Sequence, residues 1–542
     1  MNAIAFADRR VLFVASLLVA VLGAAFTYAV LDPTIGFDDA NITQVYARHI
    51  AQGHGYVYNV GGERVEGSTS ILWTLINAAA FAITDTPETL LAAVSLLMTV
   101  LTLYFAGLAT LTVVQERTSI APLATIAAFL VFPGFFGWMV WSLMDMTLWV
   151  LLTTALFVLL VRQGAQNTKG VMLWLCLVAL LLPVTRPEGI VLTTGIALIL
   201  LLRSAIVRDG WPLAAFVIGF SGAVSVVAAT LWRLSYFGYP FPNTFYAKTS
   251  DDIIQQTVNG IKYMLSYLEV GQNVLLVSLL FVAVALILLH GTRPARHAAL
   301  IAAATVIGAV LIYSLLGGDH FGSHRFLLIA IPLGLPVVTV GLRLIMVGDS
   351  DAARTPVLAA VVLALPFVLV GAVSARGFIH DDGGIQNEFG IAEDGRLGGT
   401  ILNTLPGKPV VGVVAAGGIR MGYDGDVQDL MGLNWTVMAH AEPDDMSSEV
   451  INHTGFNQNV FWISPPDIFV PRSVECPDNW VPLDGFLDNV TDGVSNSPAF
   501  RDLYALTCYQ GLVFHVSYAY LQGLAAQGIA APFDLLPPVP AP

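Results

Sequence analysis

Arg9-Arg10-Val11-Leu12-Phe13-Val14, the apolar run that continues to Leu31, and then Asp32-Pro33-Thr34-Ile35-Gly36-Phe37-Asp38-Asp39-Ala40-Asn41 decide how this chain is to be read. A helix needs about 20 apolar residues to cross the hydrocarbon core of a bilayer. The run follows two arginines and shows no small-x-small cleavage site before Asp32. It therefore reads as an uncleaved anchor with its amino end inside, not as a signal peptide. The acidic pair Asp38-Asp39 then falls just outside the first span.

The rest of the chain repeats the pattern. Of 542 residues, 56% are hydrophobic and 11% charged, with a mean hydropathy of +0.74, values no soluble globular chain of this length shows. Apolar runs at 11–31, 88–113, 119–135, 146–161, 170–185, 189–206, 211–232, 272–290, 297–316, 326–345 and 355–375 predict about eleven spans. The fold class expected is a polytopic α-helical membrane protein with a C-terminal mixed α/β domain on the far side of the bilayer. With the amino end inside, the inner segments carry Arg9, Arg10, Arg117, Arg162, Lys169, Arg203, Arg208, Arg293, Arg296, Arg343 and Arg354, as the positive-inside rule requires. Most of the 38 acids then lie outside, so the net charge of −14 belongs to the outer face and gives nucleic acid no purchase. The apolar stretch 71–84 is too short to span, and counting it would invert every later loop. It is expected as an interfacial or re-entrant helix.

Two parts follow. Residues 1–375 form a membrane domain with outer loops at 32–87 and 233–271, and residues 376–530 form a soluble outer domain. The proline-rich stretch 531–542 reads as a disordered tail. In the outer domain the runs 409–416, 460–463 and 511–516 read as strands, the first entering a turn at Gly417-Gly418. In the first outer loop, Ile42, Val45, Tyr46, His49 and Ile50 share one face of a helix that stops near Gly53. Cys176 sits in a span, whereas Cys476 and Cys508 both fall in the outer domain, where an oxidising compartment permits a bridge.

Polar residues concentrate at the outer ends of the spans. Asp38 and Asp39 cap the loop helix, or hold a divalent cation, or act as a general base; a capped carboxylate is already oriented for either task. Asp145 reads as a cap at the start of a span, and Arg186-Pro187-Glu188-Gly189 as an ion pair at a helix break. Phe241-Pro242-Asn243-Thr244-Phe245-Tyr246-Ala247-Lys248 is a shaped aromatic loop whose Lys248 either snorkels or binds phosphate. Gly317-Gly318-Asp319-His320, followed by His324-Arg325, has the cations a phosphate leaving group needs. The span centres hold essentially no ionisable residue, unlike a coupled transporter, which places such groups at mid-membrane.

Several of these stretches taken together carry a resemblance. Phe37-Asp38-Asp39-Ala40, Tyr46-Ala47-Arg48, Gly53-His54-Gly55, Tyr58-Asn59, Gly61-Gly62-Glu63-Arg64-Val65-Glu66-Gly67 and Leu72-Trp73-Thr74 resemble the first outer loop of GT-C glycosyltransferases, in particular the branch with the mycobacterial terminal arabinofuranosyltransferases. The blocks at 186–189, 242–248, 317–325 and 415–434 are similar to that branch as well. The resemblance implies an enzyme of a bacterial inner (cytoplasmic) membrane. It would move a single sugar, arabinofuranose or another pentose, from a polyprenyl-phosphate donor to a glycan, glycolipid or protein acceptor on the periplasmic face. It implies an inverting displacement with Asp38 or Asp39 as base, and donor phosphate bound by Arg186, Lys248, His320 and Arg325. The substrate pocket would be lined by Tyr46, Glu66, Asp145, Glu188, Asn243, Tyr246, Asp319 and His324. A divalent cation on Asp38 and Asp39 is the one candidate cofactor. Where relatives carry Gly-Met-Glu-Thr, this chain has Leu143-Met144-Asp145-Met146, a shorter acid. The rival expectations are a lipid-linked oligosaccharide ligase and a non-catalytic flippase.

Overall fold

The structure, a computed structural model, describes residues 8–34, 36–116, 119–165, 169–207, 212–248, 253–347, 369–442, 444, 455–470, 476 and 485–536. The chain divides into two compact units. The first gathers residues 1–33, 89–229 and 254–386, the second 34–88, 230–253 and 387–542. The first loop assigned by sequence to the membrane domain, and the second as far as residue 253, therefore fold with the C-terminal domain, while the rest of the second loop stays in the helical unit.

The first unit is helical. Among the described residues of the chain, seven helices are long and apolar enough to cross a membrane: Arg9–Leu31, Glu88–Val114, Met146–Gln163, Gly189–Ile206, Pro212–Tyr236, Gly271–His290 and Arg293–Leu315. The pair Ala121–Val131 and Pro133–Trp141 is apolar too but bent by 87°, the shape of a broken span or a re-entrant loop. The bend falls where Pro133 lacks an amide hydrogen to continue the ladder. Gly170–Thr185 and Ala330–Ile345 are shorter apolar helices at two further expected spans. The last expected span, 355–375, lies mostly outside the described residues, whose helix there covers 369–380.

Large apolar side chains project outward from these helices, among them Leu18, Leu202, Phe216, Phe281 and Leu289, all more than half exposed. Water would penalise such a surface; hydrocarbon does not. Inside, Ser16, Thr27, Thr99, Thr153 and Thr154 are buried, and each hydroxyl donates to the carbonyl four residues back. No water is needed to satisfy them. Gly23 lets the first helix approach Phe136, whose ring would lie 2.6 Å from an added Cβ.

The second unit is built on a six-stranded sheet in the order β2-β1-β3-β5-β4-β6. The strands are β1 (Val411–Val413), β2 (Val427–Asp429), β3 (Ile468–Val470), β4 (Tyr504–Tyr509), β5 (Leu512–Ser517) and β6 (Asp534–Leu535). β1 is parallel to β2 and β3; the other pairings are antiparallel. β4 and β5 form a hairpin over Gln510 and Gly511, whose φ values of 48° and 85° match a type I′ turn. Val411, Val413, Ile468, Val470, Phe514 and Val516 pack in one core with Ile42, Val45, Tyr46, Tyr56, Tyr58 and Val65. These residues of the first loop are thus part of the domain's core.

Two expectations are corrected. Residues 460–463 are not a strand but lie in the helix Gln458–Ile463, because the Asn457 side chain accepts from the Val460 amide and starts a helix there. The tail is ordered as far as Asp534–Leu535, which pair with β4; residues 537–542 lie outside the described residues. Cys476 and Cys508 are bridged, with Cα atoms 5.7 Å apart. Replacing Cys508 with Ser is expected to lower stability by about 2–4 kcal/mol. Thermal unfolding of the whole chain in detergent checks this, and reductant should have no further effect on the variant.

Candidate functional site

The loop helix Asp38–Ala51 begins after Phe37, the N-cap, which offers no side-chain acceptor. Asp38 and Asp39 occupy the first turn, where the helix dipole favours negative charge. The expected capping by either acid does not occur in this helix. Asp38 turns instead to the short helix Gly417–Gly422. Its Oδ2 accepts from the Gly417 amide at 2.9 Å and its Oδ1 from the Gly418 amide at 2.7 Å. Gly417 must be glycine, since a Cβ there would lie 1.8 Å from the Asp38 carbonyl oxygen. Burial pushes the Asp38 carboxyl up to about 6, against the two amide bonds, and Asp39 and Asp429 add repulsion. Asp39 is half-buried.

Around this contact the loop and the C-terminal domain interlock through residues of the recurring blocks. Arg48 donates to the Met421 and Arg420 carbonyls at 2.9 and 3.1 Å, closing the other end of the Gly417–Gly422 helix. The Tyr58 hydroxyl donates to the Ala416 carbonyl at 2.7 Å, and Asn59 bonds both backbone groups of Val427 on β2. The Tyr46 hydroxyl has its one proton shared between the Val65 carbonyl at 2.9 Å and Asn434 Oδ1 at 3.0 Å, and accepts from the Gly67 amide.

Asp429 organises the loop that presents Asn434. Its carboxylate accepts from the amides of Met431 and Asn434 and from Asn434 Nδ2. Burial raises Asp429 to about 6 as well. Asn243 donates to the Gly432 carbonyl at 2.6 Å, and its amide donates to the Glu66 carbonyl. Glu66, 2% exposed, is held by Arg233 at 2.7 and 2.9 Å. Tyr46, Glu66 and Asn243, expected in the substrate pocket, therefore spend their polar groups joining the unit together. Sequence reasoning missed Arg233; the one signal was a glutamate in an otherwise buried turn, which demands a cation.

Lys248 ends the helix Asn243–Lys248, is half-buried, and has no ion-pair partner among the described residues. Beside it Tyr246 stacks on the exposed His440 at 4.1 Å, with Tyr239 against the same imidazole at 4.5 Å.

The helical unit has its own polar cluster. Arg186 bridges Asp145 at 3.1 Å and Glu188 at 3.1 Å, so Asp145 pairs across the fold in addition to starting a span. Burial raises Asp145, and Arg186 and Arg325 pull it back. Arg325 pairs with Asp319 and lies against the rings of Phe321 and Phe326, at 4.2 and 4.9 Å. Phe326 also faces Arg186 at 5.1 Å, which makes the two arginines neighbours. His320 stands 3.7 Å from Asp319. His324 has its Nε2 2.9 Å from Ser266 Oγ, and burial lowers it to about 4, so it is neutral near pH 7. Ser323 and His324 both have left-handed backbones, at φ 58° and 51°, which costs on the order of 1–3 kcal/mol each. Three carboxylates and two guanidiniums meet here, so a phosphate would have to compete with acids for the arginines.

Among the described residues no group of three His, Cys, Asp or Glu side chains is placed to hold a metal.

No protein-family profile matches the chain, and no curated protein sequence matches it. Solved structures do. ArnT from Cupriavidus metallidurans bound to undecaprenyl phosphate is similar over 93% of this chain and 98% of that one, at 13% identity and TM-score 0.55. The oligosaccharyltransferase of Archaeoglobus fulgidus, tethered with an acceptor peptide, is similar over 96% of this chain and 75% of that one, at 10% identity and TM-score 0.52. The chain has the fold of these two membrane proteins, the GT-C type. The likeness to the arabinosyltransferase EmbB of Mycobacterium smegmatis stops at a TM-score of 0.37 with 15% identity, over 87% of this chain and 45% of that one.

Removing the cation that neutralises buried Glu66, by Arg233→Ala, is expected to destabilise the protein by about 3–5 kcal/mol; a fall in the unfolding midpoint checks it. A second expectation concerns pH. Asp429 is an acid whose folded value, about 6, exceeds its unfolded 3.8. The folded state therefore holds its proton longer, and stability falls as pH rises between those two values. Relative to Asp429→Asn, which does not titrate, the wild-type protein should lose on the order of 2 kcal/mol between pH 4 and pH 7. Unfolding of both proteins across that range is the measurement.

Proposed function

We propose that this protein is a membrane glycosyltransferase that moves a single sugar from a polyprenyl-phosphate donor to an acceptor hydroxyl on the extracytoplasmic face. The observation that carries the reading is the division of labour in the acidic pair. Asp38 is buried with both oxygens on backbone amides, while Asp39, its neighbour in the same first turn, stays half-open. Asp38 fixes the turn, and Asp39 is the partly exposed acid beside it. The fold adds support, since ArnT is described bound to undecaprenyl phosphate. The bridge between Cys476 and Cys508 suits an oxidising compartment, and the basic residues favour the opposite face for the cytoplasm.

In the mechanism, Asp39 takes the proton of the acceptor hydroxyl as its oxygen attacks the anomeric carbon. The bond from that carbon to the phosphate oxygen breaks, and the lipid phosphate leaves with the electron pair. The displacement inverts the anomeric centre. Lys248, which has no ion-pair partner among the described residues, is the candidate of its unit to balance the phosphate charge, with Tyr246 to orient the sugar. The helical unit offers candidates of its own, Arg325, Arg186 and His320 for phosphate and Asp145, Glu188 and Asp319 for the sugar. The donor sugar is assigned as a pentose, arabinofuranose first, on the resemblance of the sequence blocks.

Asp39→Asn is expected to lower turnover about 10²–10⁴-fold with an unchanged unfolding midpoint. Asp38→Asn should lower the midpoint, because an amide cannot accept from both glycine amides through two oxygens. Turnover with purified protein, a polyprenyl-phospho-pentose and membrane acceptors decides it. Near-normal turnover in folded Asp39→Asn contradicts the assignment. A ligase reading is favoured only if a lipid-linked oligosaccharide is consumed and the monosaccharide lipid is not.

A further inference from the structure

We propose that the helix formed by residues 254–267 lies in the headgroup boundary of one bilayer leaflet, with its outward apolar side chains among the acyl chains, and that the leaflet thereby holds the turn carrying His324 in place. The proposal rests on the membrane fold and not on the transferase reading.

The sequence sets up the face. Ile254, Val258, Ile261, Leu265 and Leu268 recur at i, i+4, i+7, i+11 and i+14, so on a helix they fall within about 40° of one line. All five are exposed, Ile254 and Leu265 by more than half. The opposite face is buried and consists of Gly260, Tyr263 and Tyr267. Gln255, Asn259 and Lys262 form a polar edge between the two, with Gln255 Nε2 donating to Asn259 Oδ1 at 3.3 Å. On the other edge the half-buried Met264 widens the apolar face to about 120°. A seam between two paired helices would be narrower. A broad apolar face beside a polar edge with a lysine is the cross-section of a helix lying in a bilayer surface.

Packing fixes its depth. Gly260 meets Ser314 in the last turn of the spanning helix Arg293–Leu315, so closely that a Cβ there would overlap the Ser314 carbonyl. At the other end, three residues separate Tyr267 from Gly271, where the spanning helix Gly271–His290 starts, and three residues reach about 10 Å at most. The helix therefore sits where two spans leave the hydrocarbon. Both spans expose apolar side chains up to that level, Leu311 and Leu315 on one and Val274 and Val277 on the other. The stripe continues this lipid-facing surface from one span end to the other. Water would penalise it; immersion by about 5–10 Å in the acyl boundary removes the penalty.

The buried face bears on the turn Gly322–Leu327. Ser266 Oγ lies 2.9 Å from His324 Nε2, and the rings of Tyr263 and Tyr267 stand 5.0 and 5.4 Å from the imidazole. Tyr263 also closes on Gly318, where an added Cβ would lie 2.5 Å from its own Cβ. Ser323 and His324 hold left-handed backbones, a conformation that persists only where neighbours enforce it. Lifting the helix would free the turn, and it would draw the apolar stripe out of the leaflet.

Full-length protein in phosphatidylcholine nanodiscs tests this, in a Cys176→Ser background whose remaining cysteines, Cys476 and Cys508, are bridged. A nitrobenzoxadiazole dye attached through Ile261→Cys or Leu265→Cys is expected to be quenched by lipid with a doxyl group near the glycerol, and far less by lipid with one at the chain end. The same dye attached through Asn259→Cys should be open to a water-soluble quencher. Dyes at 261 and 265 that lipid does not quench overturn the proposal; a cross-link between two copies through Leu265→Cys would then mark the stripe as a dimer seam. The hold on the turn is read with a thiol introduced by Ser323→Cys. Ile261→Asp with Leu265→Asp should raise its rate of maleimide labelling about tenfold, whereas Gln255→Asp with Asn259→Asp, on the polar edge, should leave it unchanged. Equal rates in all three proteins overturn the hold, and faster labelling in both variants overturns it too, as general loosening. Sugar transfer enters neither readout, so either outcome leaves the proposed function standing.

Discussion

The carboxylate of Asp38 on the amides of Gly417 and Gly418 is the contact on which the second unit depends. It joins residues 379 and 380 positions apart in the chain, and it does so with a buried acid, which water would otherwise hold far more cheaply. Two charge-assisted amide bonds offset that desolvation in part, and the raised acidity constant records what is left. Once Asp38 is fixed, the first turn of the loop helix is fixed, and so is the direction in which Asp39 leaves it. The interlock of Arg48, Tyr58, Asn59 and Tyr46 then spreads the same constraint over the whole loop. Were Asp39 the base proposed above, its anchoring turn would need no reorganisation when substrate arrives.

The helical unit meets a different constraint. Its exterior is apolar, and buried hydroxyls such as those of Ser16, Thr27, Thr99, Thr153 and Thr154 are satisfied within their own helices, while its paired arginines sit at the ends of spans. There they are balanced by acids: Arg186 between Asp145 and Glu188, Arg325 against Asp319. Such a cluster is pre-assembled without being strongly positive.

Much of this was legible before any coordinates. Spans announce themselves because a bilayer demands about 20 apolar residues in a row, and ten of the eleven expected runs coincide with apolar helices among the described residues. The loop helix was readable from Ile42, Val45, Tyr46 and His49, all buried on one face. What escaped was pairing at a distance. Glu66 finds Arg233 across 167 residues, and no local pattern encodes that. Three-residue strands such as β2 and β3 carry too little alternation to register, and residues 460–463 are as apolar as a strand while Asn457 makes them a helix. The acidic pair was found, yet its two members were indistinguishable until Gly417 and Gly418 were seen to claim one of them.

The account turns on a direct displacement driven by one acid of that pair, and the product's stereochemistry reports on it. Purified protein should be given a polyprenyl-phospho-pentose of defined anomeric configuration, and the new glycosidic linkage read by NMR. Inversion at the anomeric carbon, with one polyprenyl phosphate released for each sugar transferred, is the predicted result. Retention of configuration, or a donor that is never cleaved, would contradict it.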